Sequence, residues 1–248
     1  MKISIITASY NNKLTLEQTI NSVLSQDYSN IEYIIVDGGS KDGTVKLVES
    51  YGRKIQQFIS EPDKGIYDAL NKGVKMATGD VVGFMHSDDF FASNDIVSNI
   101  ARTFTNSNVD AVYGNLHYVG AEDSSKIVRN WVSSDFSFRK LRQGWMPPHP
   151  TLYIKNECYK KYGLYNTDLR IAADYELILR YFGKYQITSA YLPKTIVKMR
   201  LGGASNQSFK AIIKKMKEDY WALKNNNIGG VYTLLYKNFS KITQFINK

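Results

Sequence analysis

The 248-residue chain contains a single cysteine, Cys158. One thiol forms no internal disulfide and no cysteine metal cluster, so a disulfide scaffold is excluded and a reducing compartment is expected. Histidine is almost as scarce. His86, His117 and His149 are dispersed, with no HxxxH or HExxH spacing to build a zinc protease. No apolar run approaches the roughly 20 residues that a membrane span needs. The opening MKISIITASYNN has an apolar run too short for the core of a secretory leader, so a cytoplasmic protein is expected. Neither GxGxxG nor a P-loop pattern occurs, which argues against a Rossmann dehydrogenase or an NTPase. There is no internal repeat and no low-complexity segment.

What is present is an ordinary soluble composition, 43% hydrophobic and 22% charged. The net charge is +9, from 32 Lys+Arg against 23 Asp+Glu. From Phe209 to Lys248 there are eight lysines and two acids, Glu218 and Asp219, a net of +6. Two thirds of the excess charge therefore sits in a 40-residue tail. A nucleic-acid binder would place a basic stripe on its main domain, so no nucleic-acid partner is expected.

The first 90 residues alternate strand and helix signals. Ile3 to Thr7, Ile31 to Val36, Ile55 to Ser60 and Val81 to Met85 read as buried strands. Residues 14–26, Thr44 to Tyr51 and Ile66 to Ala77 carry helical periodicity. This order predicts an α/β fold with a mainly parallel central sheet flanked by helices. Such sheets bind ligands at the carboxyl ends of their strands. Beyond residue 90, strands are expected at Ala111 to Tyr113, Ile127 to Val132, Thr151 to Ile154 and Ile196 to Met199. A helix is expected at Ala173 to Tyr181. Two amphipathic segments in the tail, through Ile212, Met216, Tyr220 and Leu223 and through Val231, Leu235, Ile242 and Ile246, predict a C-terminal helical pair. The expected boundaries are a domain over 1–208 and a basic tail over 209–248.

Three segments carry chemistry. Ser87-Asp88-Asp89 follows a buried strand, and adjacent carboxylates both ionise easily only with a cation close by. Mg²⁺ takes one or two carboxylates plus substrate phosphates. The same segment also reads as a solvated turn or a helix N-cap, and spacing alone does not choose. Asp37-Gly38-Gly39-Ser40-Lys41-Asp42-Gly43-Thr44 is either a tight connection using glycine or a place where a nucleotide approaches the backbone. Asp174, opening a helix, is either a cap or a general base.

Taken in order, SIITASYNN, EYIIVDGGSKDGT, SEPDKGIYDALNKGVKMATGD, GFMHSDDFF, MPPHPTLYIK, LRIAADYELILR and LGGAS resemble the inverting family 2 glycosyltransferases of GT-A fold, over roughly residues 1–205. The nearest likeness is to the branch that builds bacterial surface polysaccharides. The resemblance implies transfer of a hexose or N-acetylhexosamine from a nucleotide-sugar, UDP-linked first, to a hydroxyl of a glycan or polyprenyl-diphosphate-linked acceptor. It implies a division of the 1–208 domain at residue 89 into a nucleotide-binding half and an acceptor and catalytic half. It also implies that Thr7, Ala8, Tyr10, Asp37, Asp63 and Lys64 form the nucleotide pocket. Asp88, with Asp89, would hold Mn²⁺ or Mg²⁺ against the diphosphate. His86 stands where the family's pattern has a leading acid. Asp174 matches the general base, and His149, Gly203 and Ser205 match acceptor- or diphosphate-facing elements. The basic tail is then either a pair of solvated helices packing on the domain or a surface for anionic lipid and a polyprenyl-diphosphate-linked acceptor at the inner face of the plasma membrane. Competing readings are a non-catalytic sugar-nucleotide or glycan-binding protein of the same fold and a glycoside hydrolase, which also uses two carboxylates.

Overall fold

The computed structural model describes residues 1–202 and 209–237. Gly203 and Ser205 lie outside the described residues, as do Ile242 and Ile246. Strands β1 (Ile3–Ser9), β2 (Ile31–Asp37), β3 (Gln57–Ser60) and β4 (Val81–Phe84) pair in the order β3-β2-β1-β4, all parallel. Helices α1 (Lys13–Leu24), α2 (Thr44–Ser50) and α3 (Ile66–Met76) connect them. Parallel strands covered on both faces become continuous apolar runs. Accordingly Ile6, Ile34 and Val36 pack in one core layer, while Ile3, Ile5, Tyr33 and Ile35 pack in the other. The register aligns Ser9 with Asp37 and Asp37 with Ser60, so the carboxyl ends of three strands finish level.

The second half extends this sheet in a mixed pattern. Here lie β5 (Phe90–Phe91), α4 (Ile96–Ser107), β6 (Ala111–Val119), β7 (Ile127–Trp131), α5 (Phe138–Arg142), β8 (Tyr153–Lys155) and α6 (Asn156–Tyr162). They are followed by α7 (Ala173–Ile178), β9 (Ser189–Arg200) and α8 (Phe209–Asn225). Strand β8 runs antiparallel between β4 and β6, β9 lies parallel to β6, and β5 and β7 pair antiparallel at the margins. The mainly parallel α/β expectation holds in the central sheet.

Some expectations differ. The predicted strands at Ala111 to Tyr113 and Ile196 to Met199 are pieces of long strands that pair along most of their length. Their polar outer residues break the apolar signal. The helix expected through Tyr181 is α-helical only to Ile178 and continues as a π-helical turn, Leu179–Lys184. Helix α4, with Ile96, Val97, Ile100, Ala101 and Phe104 buried at helical spacing, was not anticipated.

Candidate active site

The DGGSKDGT segment is built as a tight turn. Gly39 and Gly43 have φ of 82° and 95°, which side chains other than glycine rarely adopt. Asp37 is fully buried at its base. Its Oδ2 accepts from the Gly39 and Ser40 amides at 3.0 and 2.8 Å and from the Ser60 hydroxyl at 2.7 Å, and its Oδ1 accepts from the Ser40 hydroxyl. Asp37 thus shapes the loop from within. Thr7 is likewise buried, its hydroxyl 3.1 Å from that of Tyr33, and Ala8 is buried beside it. Tyr10 is 66% exposed at the mouth. A Cβ on Gly38 would meet Tyr10 Cδ2 at 3.1 Å and Asp63 Oδ2 at 3.0 Å, so Tyr10, Gly38 and Asp63 enclose one narrow space. Lys72 donates to Asp63 Oδ1 at 2.6 Å and pairs with Glu61 at 2.9 Å, while Lys64 is exposed. Burial works against the Lys72 charge, but the two carboxylates outweigh it and hold the ammonium above its ordinary range.

The turn after β4 is tied to the start of α1. Asn12 donates to the Ser87 hydroxyl at 2.8 Å, Thr15 to the Ser87 carbonyl at 3.0 Å and Thr19 to the Asp89 carbonyl at 2.7 Å. Asp89 is followed by a strand and is completely buried, so the helix N-cap reading of this turn is corrected. Its Oδ1 accepts from the Arg200 amide at 3.1 Å, and its Oδ2 has no hydrogen-bond partner among the described residues. Burial, then the charge of Asp88, pushes the Asp89 carboxyl well above the usual range. Asp88 is partly exposed, and burial raises its carboxyl too. Two carboxylates strained toward protonation form a place where a cation is favoured. Among the described residues no group of three or more His, Cys, Asp or Glu is placed to enclose a metal. The donor set therefore fits a hard divalent ion that completes its shell with phosphate oxygens. Asp88 is the one of the pair with solvent access.

Asp174 is the second residue of α7, and its surroundings link it back to that turn. Its Oδ2 lies 3.1 Å from His149 Nδ1, and His149 Nε2 lies 3.4 Å from His86 Nε2. The two imidazoles meet edge to face with centroids 5.5 Å apart. The Tyr67 hydroxyl donates to the Ile171 carbonyl at 2.8 Å and stands 3.3 Å from Asp174 Oδ1. Burial works to raise the Asp174 carboxyl, but His149 and Lys237 more than offset it, so it stays ionised below the ordinary carboxylate range. His86 is drawn down to about 4 by burial and by His149, and is neutral near pH 7. Shifted ionisable groups brought together from distant parts of a chain are candidates for a functional site. Asp174 remains 19% exposed, which leaves its carboxylate open to a substrate.

Tyr67, Lys72 and the role of His86 as a partner of His149 were not anticipated from sequence. The His86 position did carry a signal, as the departure from an acid immediately before the acidic turn.

Comparison with known proteins identifies the family and the fold. The model of glycosyl transferase family 2 matches residues 4–164. An uncharacterised glycosyltransferase of Mycobacterium tuberculosis is 35% identical over 181 residues, covering 72% of this chain and 68% of that protein. The chain belongs to glycosyl transferase family 2. Among solved structures, Staphylococcus aureus TarS 1–349 in complex with UDP-GlcNAc aligns with all of this chain and 72% of its own at a TM-score of 0.69 and 17% identity. Against the longer TarS chain the coverage is 43% of that protein. The Pyrobaculum calidifontis mannosyltransferase PcManGT, in complex with GDP-Man and Mn²⁺, aligns with all of this chain and 76% of its own at 0.63 and 15%. These likenesses establish the GT-A fold.

Proposed function

We propose that the chain is a metal-dependent, inverting glycosyltransferase that moves a hexose or N-acetylhexosamine from a nucleotide-sugar, UDP-linked first, to a hydroxyl of a glycan or polyprenyl-diphosphate-linked acceptor in bacterial surface polysaccharide synthesis. The observation that carries the reading is the chain of contacts from His86 through His149 to Asp174. It brings the acidic turn and a candidate base into one cleft although 85 residues separate them in sequence. The solved neighbours TarS and PcManGT, in complexes with UDP-GlcNAc and with GDP-Man and Mn²⁺, support a nucleotide-sugar donor and a divalent ion.

In this reading the base rests against Tyr10 over Gly38, with Asp63 Oδ2 accepting from it while Lys72 fixes Oδ1. Thr7, Ala8 and Asp37 form the floor behind, and Lys64 stands at the rim. Asp88 would hold the divalent ion, with Asp89 behind it, and the ion when bound would neutralise charge on the departing diphosphate. Asp174 Oδ1 takes the proton of the acceptor hydroxyl as its oxygen attacks the anomeric carbon from the face opposite the leaving group. One displacement inverts the configuration. Tyr67 directs its hydroxyl to Ile171, the nearer acceptor, which leaves Oδ1 available, and His149 holds Oδ2.

The exposed face of α8 carries Ile212, Ile213, Met216 and Tyr220 beside Lys210, Lys217 and Lys224, and Tyr232 is 90% exposed. Apolar and aromatic side chains bordered by lysine suit the surface of an anionic membrane. Among the described residues no helix is long and apolar enough to cross one. The test of the activity is release of nucleoside diphosphate from a panel of nucleotide-sugars, with bacterial membrane extract as acceptor source. Metal-dependent release by the native chain that is lost in Asp174→Asn is expected. Equal release by both proteins would contradict the assignment.

A further inference from the structure

Helix α8 opens the basic tail, and its inner face reaches the loop that presents Asp174. Helix α7 has Ala172 at its N-cap and no side-chain cap of its own. The loop leading into α7 is held instead from α8. Glu218 Oε1 accepts from the Arg170 amide at 3.1 Å, and Oε2 accepts from the Ile171 and Ala172 amides at 2.8 and 3.0 Å. The Glu218 side chain is only 10% exposed. Three successive amides in the loop leading into a short helix are thus satisfied by one carboxylate. Such bonds are about twice as strong as neutral ones, and a negative charge there is also favoured by the helix dipole.

The clamped loop is a junction. The Ile171 carbonyl accepts from Tyr67, and the Arg170 guanidinium donates to the Lys64 carbonyl at 2.9 Å, on the rim of the proposed nucleotide pocket. Next to Glu218, Asp219 is buried and pairs with Lys215 at 2.9 Å and Lys237 at 3.0 Å. Lys237 lies over the ring of Tyr175, the residue following Asp174. Glu218 and Asp219 are the tail's two acids, and both face the catalytic loop while the helix's exposed lysines face outward.

We propose that Glu218 is a positioning residue for glycosyl transfer: its carboxylate fixes the backbone of residues 170–172 and so sets Asp174 against the acceptor hydroxyl. The inference rests on Asp174 being the base, and it makes α8 part of the catalytic machinery. Displacing a catalytic group by about 1 Å costs roughly 10²-fold in rate. Glu218→Ala is therefore expected to lower kcat by about 10- to 100-fold, with nucleotide affinity within about twofold of native. Glu218→Gln, which keeps one acceptor oxygen, is expected to recover part of that loss.

Hydrogen exchange of the intact chain supplies a readout independent of chemistry. The amides of Arg170, Ile171 and Ala172 are expected to lose protection in Glu218→Ala, while those of β1 and β2 keep theirs. Native kcat per folded molecule together with native protection at 170–172 would overturn the proposal. If Glu218→Ala does not fold, the same two measurements are made on Glu218→Gln, and native values of both in that variant would overturn the proposal equally. Asp174→Asn separates the layers: retained turnover in that variant would remove the base assignment, whatever the exchange at 170–172 shows.

Discussion

The two halves of the molecule are built by different rules. Residues 1–89 alternate strands and helices, and the residues proposed to face the nucleotide sit where the strands end. Asp174, in the second half, is instead surrounded by groups from both: Tyr67 of α3 and the turn after β4 come from the first, the bend at His149 and α8 from the second, from positions up to 151 residues apart. The strand ends are set by topology, and the surroundings of Asp174 by convergence. In the proposed reading, substitutions at the strand ends are therefore expected to act on donor affinity, and those around Asp174 on turnover.

The sharpest way to break that division is Asp174→Asn. Loss of a general base typically costs about 10²–10⁴-fold in rate. The variant is expected to lose turnover by that order in a steady-state assay and keep its nucleotide affinity by calorimetry. A parallel fall in both would merge the two halves. Next in size is Lys72→Met, which frees Asp63 from its charged partner. Nucleotide affinity is expected to fall roughly 10-fold, in line with about 1.5 kcal/mol for a hydrogen bond to a charged group, with kcat unchanged.

A smaller effect concerns pH. Because His149 helps hold the Asp174 carboxyl low, the acid limb of kcat in the native chain is expected below the ordinary carboxylate range. In His149→Gln burial acts with less opposition, so the limb is expected to move to higher pH. An unmoved limb would show that His149 does not bias the base. The smallest effect is expected at the outer face of α8. Ile212→Glu combined with Tyr232→Glu should weaken flotation with anionic liposomes and leave solution turnover unchanged, because neither side chain touches the catalytic loop. Unchanged flotation would remove the membrane role from this face.

The same contrast explains what could be read beforehand. Strands β1, β2 and β4 are uniform apolar runs ended by acids or hydroxyls, so their positions and the ligand-facing end were legible. Glycines at positive φ marked the turn after β2. The sequence could not show that Asp37 turns its carboxylate inward, because a buried and a ligand-facing aspartate look alike until Gly39, Ser40 and Ser60 close around it. Nor could it separate Asp88 from Asp89, since one residue of chain decides which side chain is buried beneath β9. Glu218 was visible as an acid in a lysine-rich helix, but its target lies 46 to 48 residues away and depends on how α8 folds back on α7.

The central claim is a metal-assisted nucleotide-sugar site at the carboxyl ends of the parallel strands. Calorimetric titration of UDP, GDP and dTDP, each with and without Mn²⁺, tests it most directly, using the native chain and Asp88→Ala. The account predicts that one nucleotide, UDP first, binds the native chain in a metal-dependent manner, and that Asp88→Ala loses the metal-dependent part. Absence of binding by all three nucleotides to the folded native chain, with and without metal, would contradict it.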